Sequence, residues 1–204
     1  TIVEQPADQR TLTRRYTEEA QSFIQTNDDQ PFFLYLPYTF PHVPLYASET
    51  FRDTSARGLY GDVVEEIDWS VGQILRTLRE RGLDNNTLVV FTSDNGPWLT
   101  MNENGGTAGL LRGGKGSTWE GGMRVPTIAW WPGTIEEGTT SDAVGSTMDL
   151  FTTALTLAGA PLPEDRVIDG ENLMPVLKNP KADGREHVFY YRADELFAVW
   201  KGPW

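Results

Sequence analysis

The stretch 88-LVVFTSDNGPWL-99 decides the fold. Leu88-Val89-Val90-Phe91 is an unbroken apolar run, and Ser-Asp-Asn-Gly-Pro stops it abruptly. A short apolar run bounded by turn residues suits a strand covered on both faces, the kind that helices flank in an α/β sheet. The strand is expected over residues 87–93, entered by the Asn85-Asn86 turn. Upstream, Val64, Ile67, Val71, Ile74, Leu75 and Leu78 recur at helical spacing, which predicts a helix over 61–81 closed by Gly82. Further upstream, 31-PFFLYL-36 reads as a second buried strand, and Thr17-Glu18-Glu19 as the start of a helix running to about Thr26. Downstream, a strand is expected over 126–131 before Pro132-Gly133, and a helix over 149–158, capped by Ser146 or Thr147 and ended by Gly159. Residues 187–192 and 196–200 look like two strands of a smaller sheet. Helices alternating with apolar strands predict an α/β sheet flanked by helices.

Composition narrows the function. The 204 residues hold 17 Lys and Arg against 29 Asp and Glu, a net charge of −12, which argues against a nucleic-acid-binding surface. An acidic chain that handles an anion must concentrate cations, or a metal ion, at its site. There is no cysteine, so disulfides, thiolate metal ligands and a thiol nucleophile are excluded within these residues. No apolar run approaches the roughly 18–20 residues that span a bilayer, so no transmembrane segment is expected. The first residues, TIVEQP, do not read as a signal peptide.

Ligands of open α/β sheets gather at the C-terminal ends of strands. Two loops expected there carry the unusual residues, 37–46 and 93–122. Asp94 and Asn95 offer a carboxylate and an amide oxygen, hard donors suited to Ca²⁺ or Mg²⁺; the same residues also suit a simple Asx turn. His42 stands in 37-PYTFPHVPLY-46, between rigid prolines. It is placed either to serve an anion and protonate a leaving oxygen or to be an ordinary loop histidine. Lys115 stands in 112-RGGKGSTWEGG-122, where flanking glycines let the backbone approach a ligand; a solvated loop lysine fits too. Glu120 and Arg124 read as a local charge pair. Trp98, Trp119, Trp130 and Trp131 read as core or rim, and His187 as the opening of a late strand.

Taken in order, Pro-His-Val-Pro, the helix opening Gly-Asp-Val-Val-Glu-Glu-Ile-Asp, Ser-Asp-Asn-Gly-Pro and Gly-Gly-Lys-Gly-Ser-Thr-Trp-Glu-Gly-Gly-Met-Arg-Val-Pro resemble the arylsulfatases, most closely the arylsulfatase A branch. The resemblance runs from about Pro31 to Leu177. It implies an alkaline-phosphatase-like sandwich with a mostly parallel or mixed central sheet and the start of a small C-terminal antiparallel sheet. Residues 1–160 would be the later part of the catalytic domain, and 161–204 a linker and incomplete C-terminal subdomain. The residues matching Asp94 and Asn95 are Ca²⁺ ligands in that family. The lysine matching Lys115 contacts the substrate sulfate, and the histidine matching His42 lies beside the sulfate and its leaving oxygen.

Family members also carry paired metal-binding aspartates and a Cys-x-Pro-Ser-Arg segment, or a Ser variant, whose first residue becomes formylglycine, the source of the nucleophile. Neither pattern occurs in these 204 residues. The expectation is therefore a portion of a longer sulfatase, inactive alone, whose partner is the rest of that polypeptide and whose remaining Ca²⁺ ligands lie upstream. The substrate would be a sulfated small molecule or a sulfated glycan. Similarity to bacterial members implies export. Two rival readings stay open: a phosphate or phosphonate hydrolase of the same superfamily, and a sulfatase-like domain that binds sulfated glycans without cleaving them.

Overall fold

In a computed structural model, which describes residues 2–202, the chain forms five α-helices and four strands among the described residues. It divides into two units, one comprising the residues up to Thr87 with Pro97–Gly109, the other Leu88–Gly96 with Leu110 onward.

The first unit is built on α1 (Leu12–Thr26) and α2 (Gly58–Glu80). The start of α1 lies upstream of the expected Thr17. A 3-10 turn over Gln9–Thr11 leads into it, capped by the Asp8 carboxylate, which accepts from the Arg10 amide at 3.1 Å. Thr17 is buried inside the helix and donates to the Thr13 carbonyl at 2.7 Å, so its hydroxyl serves the helix interior rather than an N-terminus. That leaves Ser70 of α2 to donate to Thr17 Oγ1 at 2.5 Å, and Tyr38 to donate to Ser70 Oγ at 2.7 Å. Burial pushes the Tyr38 phenol above its ordinary pKa. One chain of hydroxyls thus joins both helices to the start of the proline-rich loop.

The buried stripe of α2 is rotated from the expected one. Ile67 and Leu78 are buried as anticipated, but Val64 is exposed and Asp62, Val63, Glu66 and Ser70 are buried instead. The carboxylates sit inside because they satisfy loop amides: Asp62 accepts from Asp53 and Ser55 at 2.9 and 2.8 Å, and Glu66 from Ser48 at 2.8 Å. Gly82 ends the helix as expected, with φ of +67°; its amide and that of Leu83 return to the carbonyls of Arg79 and Leu78 at 3.0 and 2.8 Å. Residues 31–36 form no strand. They are unpaired among the described residues, with Phe33 and Tyr35 exposed. Their apolarity reports burial tendency and carries no information about a pairing partner.

The second unit holds β1 (Val89–Thr92), paired antiparallel with β2 (Thr127–Trp130) so that Val89 faces Trp130 and Thr92 faces Thr127. The one-turn α3 (Glu120–Met123) precedes β2. Helix α4 (Met148–Leu157) follows Thr147 as N-cap; just before it the Ser146 hydroxyl accepts from the Met148 amide at 3.3 Å while Asp149 accepts from the Ser146 amide at 2.7 Å. After α5 (Met174–Lys178), β3 (His187–Arg192) and β4 (Glu195–Lys201) form an antiparallel hairpin, the small late sheet anticipated from the sequence. Helices and strands mix as the α/β class requires, and both sheets among the described residues are two-stranded and antiparallel. No helix among these residues is long and apolar enough to cross a membrane.

Candidate functional site

His42 is positioned by its neighbours' burial. Phe40, Leu45 and Ala47 pack with Val63 and Ile67 of α2 in the core of the first unit, with Tyr38 and Val43 against them. The loop is therefore anchored on either side of an exposed imidazole. Nδ1 of His42 lies 2.7 Å from the Val43 carbonyl oxygen. A carbonyl only accepts, so Nδ1 carries a proton and Nε2 is the nitrogen left for chemistry. The indole of Trp98 lies against the ring, centroids 5.4 Å apart and planes at 51°. This contact joins residues far apart in sequence, and no local pattern announces it.

In the second unit, the corner after β1 departs from an Asx turn. The Ser93 hydroxyl donates to the Asn95 carbonyl at 2.9 Å, and Asn95 Nδ2 donates to the Gly96 carbonyl at 3.0 Å. The amide nitrogen of Asn95 is thereby occupied and its Oδ1 remains as an acceptor. The Asp94 carboxylate is exposed and makes no hydrogen bond or ion pair among the described residues. Adjacent carboxylate and amide oxygens without internal partners fit a hard divalent cation in kind. They fall short in number, because no group of three or more Asp, Glu, His or Cys able to hold a metal occurs among the described residues.

The Lys115 segment is joined to this corner by backbone. The Gly96 amide donates to the Gly122 carbonyl at 3.0 Å, and a Cβ at Gly96 would overlap the Gly121 carbonyl. The loop closes on itself where the Gly121 amide donates to the Arg112 carbonyl at 2.8 Å. The Arg112 guanidinium lies over the Trp119 ring at 3.8 Å. Inside the loop the Ser117 amide and hydroxyl both donate to the Gly114 carbonyl, at 3.0 and 2.8 Å, making a tight turn around Lys115. The structure thus unites the Asp94-Asn95 corner with the lysine loop, whereas His42 belongs to the other unit.

Glu120, at the foot of the loop, faces Arg124 at 3.7 Å, the charge pair read from the sequence. It also accepts a hydrogen bond from the Tyr190 hydroxyl of β3 at 2.9 Å, a partner that no local pattern announces. Burial, and then the hydrogen bond and negative charge of Glu120, push the Tyr190 phenol up to about 12. A raised folded-state pKa stabilises the fold below the unfolded value, near 10 for tyrosine, and that contribution is lost as pH rises through about 12. Unfolding measured between pH 10 and 12 is therefore expected to show stability falling more steeply for the native chain than for Tyr190→Phe. Equal slopes would contradict the assignment.

Comparisons with known proteins identify the family. A family model described as Sulfatase matches residues 3–160. The N-acetylgalactosamine-6-sulfatase of Mus musculus is 52% identical over 196 residues, which cover 95% of this chain and 38% of that protein. The steryl-sulfatase of Homo sapiens is 48% identical, covering 97% of this chain and 35% of its own length. Among solved structures, the PsFucS1 sulfatase from Pseudoalteromonas sp. superposes with a TM-score of 0.90 at 30% identity, covering 94% of this chain and 39% of that one. The chain spans little more than a third of the length of these relatives.

Proposed function

Because the chain belongs to the sulfatase family and shares its alkaline-phosphatase-like fold, we propose that it contributes the anion-handling half of an enzyme that hydrolyses sulfate monoesters. The observation that carries this reading is the backbone junction of the Asp94-Asn95 corner with the Lys115 loop through Gly96 and Gly122. It brings two hard oxygen donors and a segment bearing a lysine into one assembly. Residues 1–160 would be the later part of the catalytic domain, with 161–204 as linker and incomplete subdomain.

Each residue has a task set by its chemistry. Lys115 would donate from its ammonium to a sulfate oxygen, neutralising charge that grows as the ester bond breaks. His42, with Nδ1 engaged by Val43, would present a protonated Nε2 to the departing oxygen and release its proton there. Trp98 beside His42 would form part of the wall on the leaving-group side. Asp94 and Asn95 would be two of the oxygen ligands of Ca²⁺, which when bound supplies positive charge at the sulfate. The formylglycine nucleophile of the family has no counterpart in these 204 residues, which contain neither Cys nor Ser-x-Pro-x-Arg. The isolated chain is accordingly proposed to be inactive. Relatives named for an amino-sugar 6-sulfate and for a steryl sulfate share only the ester, so the substrate class proposed is the sulfate monoester, on a small molecule or a glycan.

The test compares 4-nitrocatechol sulfate with 4-nitrophenyl phosphate as substrates for the polypeptide encoded by the complete reading frame around these residues. Sulfate ester turnover is expected, with Lys115→Ala and His42→Ala each lowering kcat/KM about 100-fold. Preference for the phosphate ester would favour the phosphohydrolase reading. Sulfated-glycan binding without turnover would favour the non-catalytic one. Metal-dependent turnover by the 204-residue chain alone would refute the proposed inactivity.

A further inference from the structure

The loop that carries Lys115 is held at its foot by a residue from a different part of the chain. Its turn is fixed by three backbone contacts: Gly121 to Arg112 at 2.8 Å, Gly122 to Trp119 at 2.8 Å, and Ser117 to Gly114 at 3.0 Å. Two of these three run through the segment around Glu120. The Glu120 carboxylate has two partners of unequal quality. Arg124 lies at 3.7 Å, just past the end of the same short helix, and both side chains are substantially exposed. The Tyr190 hydroxyl lies at 2.9 Å and comes from a paired strand.

Tyr190 faces Ala198 across the β3–β4 hairpin, and the neighbouring pair on that face is Val188 with Trp200. These four side chains are all partly buried, while Phe189, Tyr191 and Val199 on the other face are exposed. The hairpin therefore presents Tyr190 from a fixed platform. A phenol donating to a carboxylate is a short, charge-assisted contact, stronger than a neutral one. We propose that Tyr190 is a positioning residue for Lys115, acting through Glu120 to hold the 112–122 loop in the shape that presents the lysine. The raised Tyr190 pKa fits this role, because the phenol stays protonated and able to donate at any pH at which the protein would work. The proposal makes the late hairpin part of the machinery around the anion site, and it rests on the sulfate-binding role given to Lys115 above.

Two measurements test it, one of them independent of turnover. The first is amide hydrogen exchange on the polypeptide of the complete reading frame and on its Tyr190→Phe, Glu120→Gln and Tyr191→Phe variants. Tyr190→Phe keeps the ring and loses only the donor; exchange across residues 112–122 is expected to quicken about tenfold while the β3–β4 amides stay unchanged. Glu120→Gln keeps an accepting oxygen but replaces the charge-assisted contact with a weaker neutral one, so its loop exchange should quicken less than in Tyr190→Phe, whereas Tyr191→Phe alters the opposite face and should stay within about twofold of the native rates. The second is a double-mutant cycle on kcat/KM in the polypeptide of the complete reading frame. Tyr190→Phe should cost about tenfold when Lys115 is present and less than about twofold in a Lys115→Ala background. A merely structural role would cost the same in both backgrounds, and that result overturns the proposal. Unchanged loop exchange in Tyr190→Phe, or equal quickening in loop and hairpin, overturns it too. Absence of sulfate ester turnover in the native polypeptide would refute the sulfatase reading instead, with the exchange measurement still deciding for or against Tyr190.

Discussion

Replacing Arg185 with alanine is expected to lower the unfolding free energy by about 3–5 kcal/mol, the cost of leaving a buried carboxylate without its cation. Asp149 is fully buried at 0% relative exposure. It accepts the Ser146 amide at 2.7 Å, the Glu171 amide at 2.8 Å and the Arg185 guanidinium, whose Nε lies 3.0 Å from both carboxylate oxygens. Arg185 also donates to the Asp169 carbonyl. One carboxylate thus holds the cap of α4, the 169–171 loop and the segment leading into β3. The carboxylate holds the Arg185 guanidinium above its ordinary pKa, so the cation persists at every pH where the protein is folded. Urea unfolding of Arg185→Ala against the native chain checks the loss. Asp149→Asn combined with Arg185→Met should recover much of it, because the amide oxygen can still accept from backbone and no charge is stranded. If the double substitution is no better than the single one, the loss comes from packing and not from the unpaired charge.

Replacing Gly96 with alanine is expected to cost about 3 kcal/mol of unfolding free energy. The estimate combines about 1–3 kcal/mol for forcing atoms into a filled space with about 1 kcal/mol for the backbone hydrogen bond lost. A methyl at Gly96 would overlap the Gly121 carbonyl and crowd Gly122, so the corner after β1 must move away from the lysine loop. The Gly96 to Gly122 hydrogen bond cannot survive that movement. Because both groups are backbone, no side-chain rotation can relieve the overlap. Thermal unfolding together with exchange of the Gly96 amide reads the effect. Native-like exchange at Gly96 in the alanine variant would show that the junction does not require glycine.

Much of this was legible beforehand where the signal was local. The ends of α2 and α4 followed from Gly82 and Gly159, both at positive φ, because a helix C-terminus tests only a few consecutive residues. The two late strands expected over 187–192 and 196–200 are β3 and β4. The sulfatase family followed from an ordered set of motifs, and the family match over residues 3–160 bears it out; the roles of Asp94, Asn95, His42 and Lys115 belong to the proposed function. The errors fell where distant residues compete for the same group. Thr17 looked like an N-cap, yet its hydroxyl is used by Thr13 and Ser70 inside a helix packing. Val64 counted toward the buried stripe of α2, yet Asp62 and Glu66 take buried places by serving loop amides. Residues 31–36 carried strand-like apolarity without a strand to pair with among the described residues.

The sequence by itself determined which residue types could handle an anion, the absence of cysteine from these 204 residues, and the α/β class, since these depend on composition, order and short-range period. Only the tertiary structure decided which of them meet. Gly96 against Gly122, Glu120 under the Tyr190 hydroxyl, His42 beside Trp98 and Arg185 on Asp149 are contacts between segments that share no local pattern. The physical reason is that a hydrogen bond or a close backbone approach depends on where folded segments arrive, and the chain order fixes only what each segment can offer on arrival.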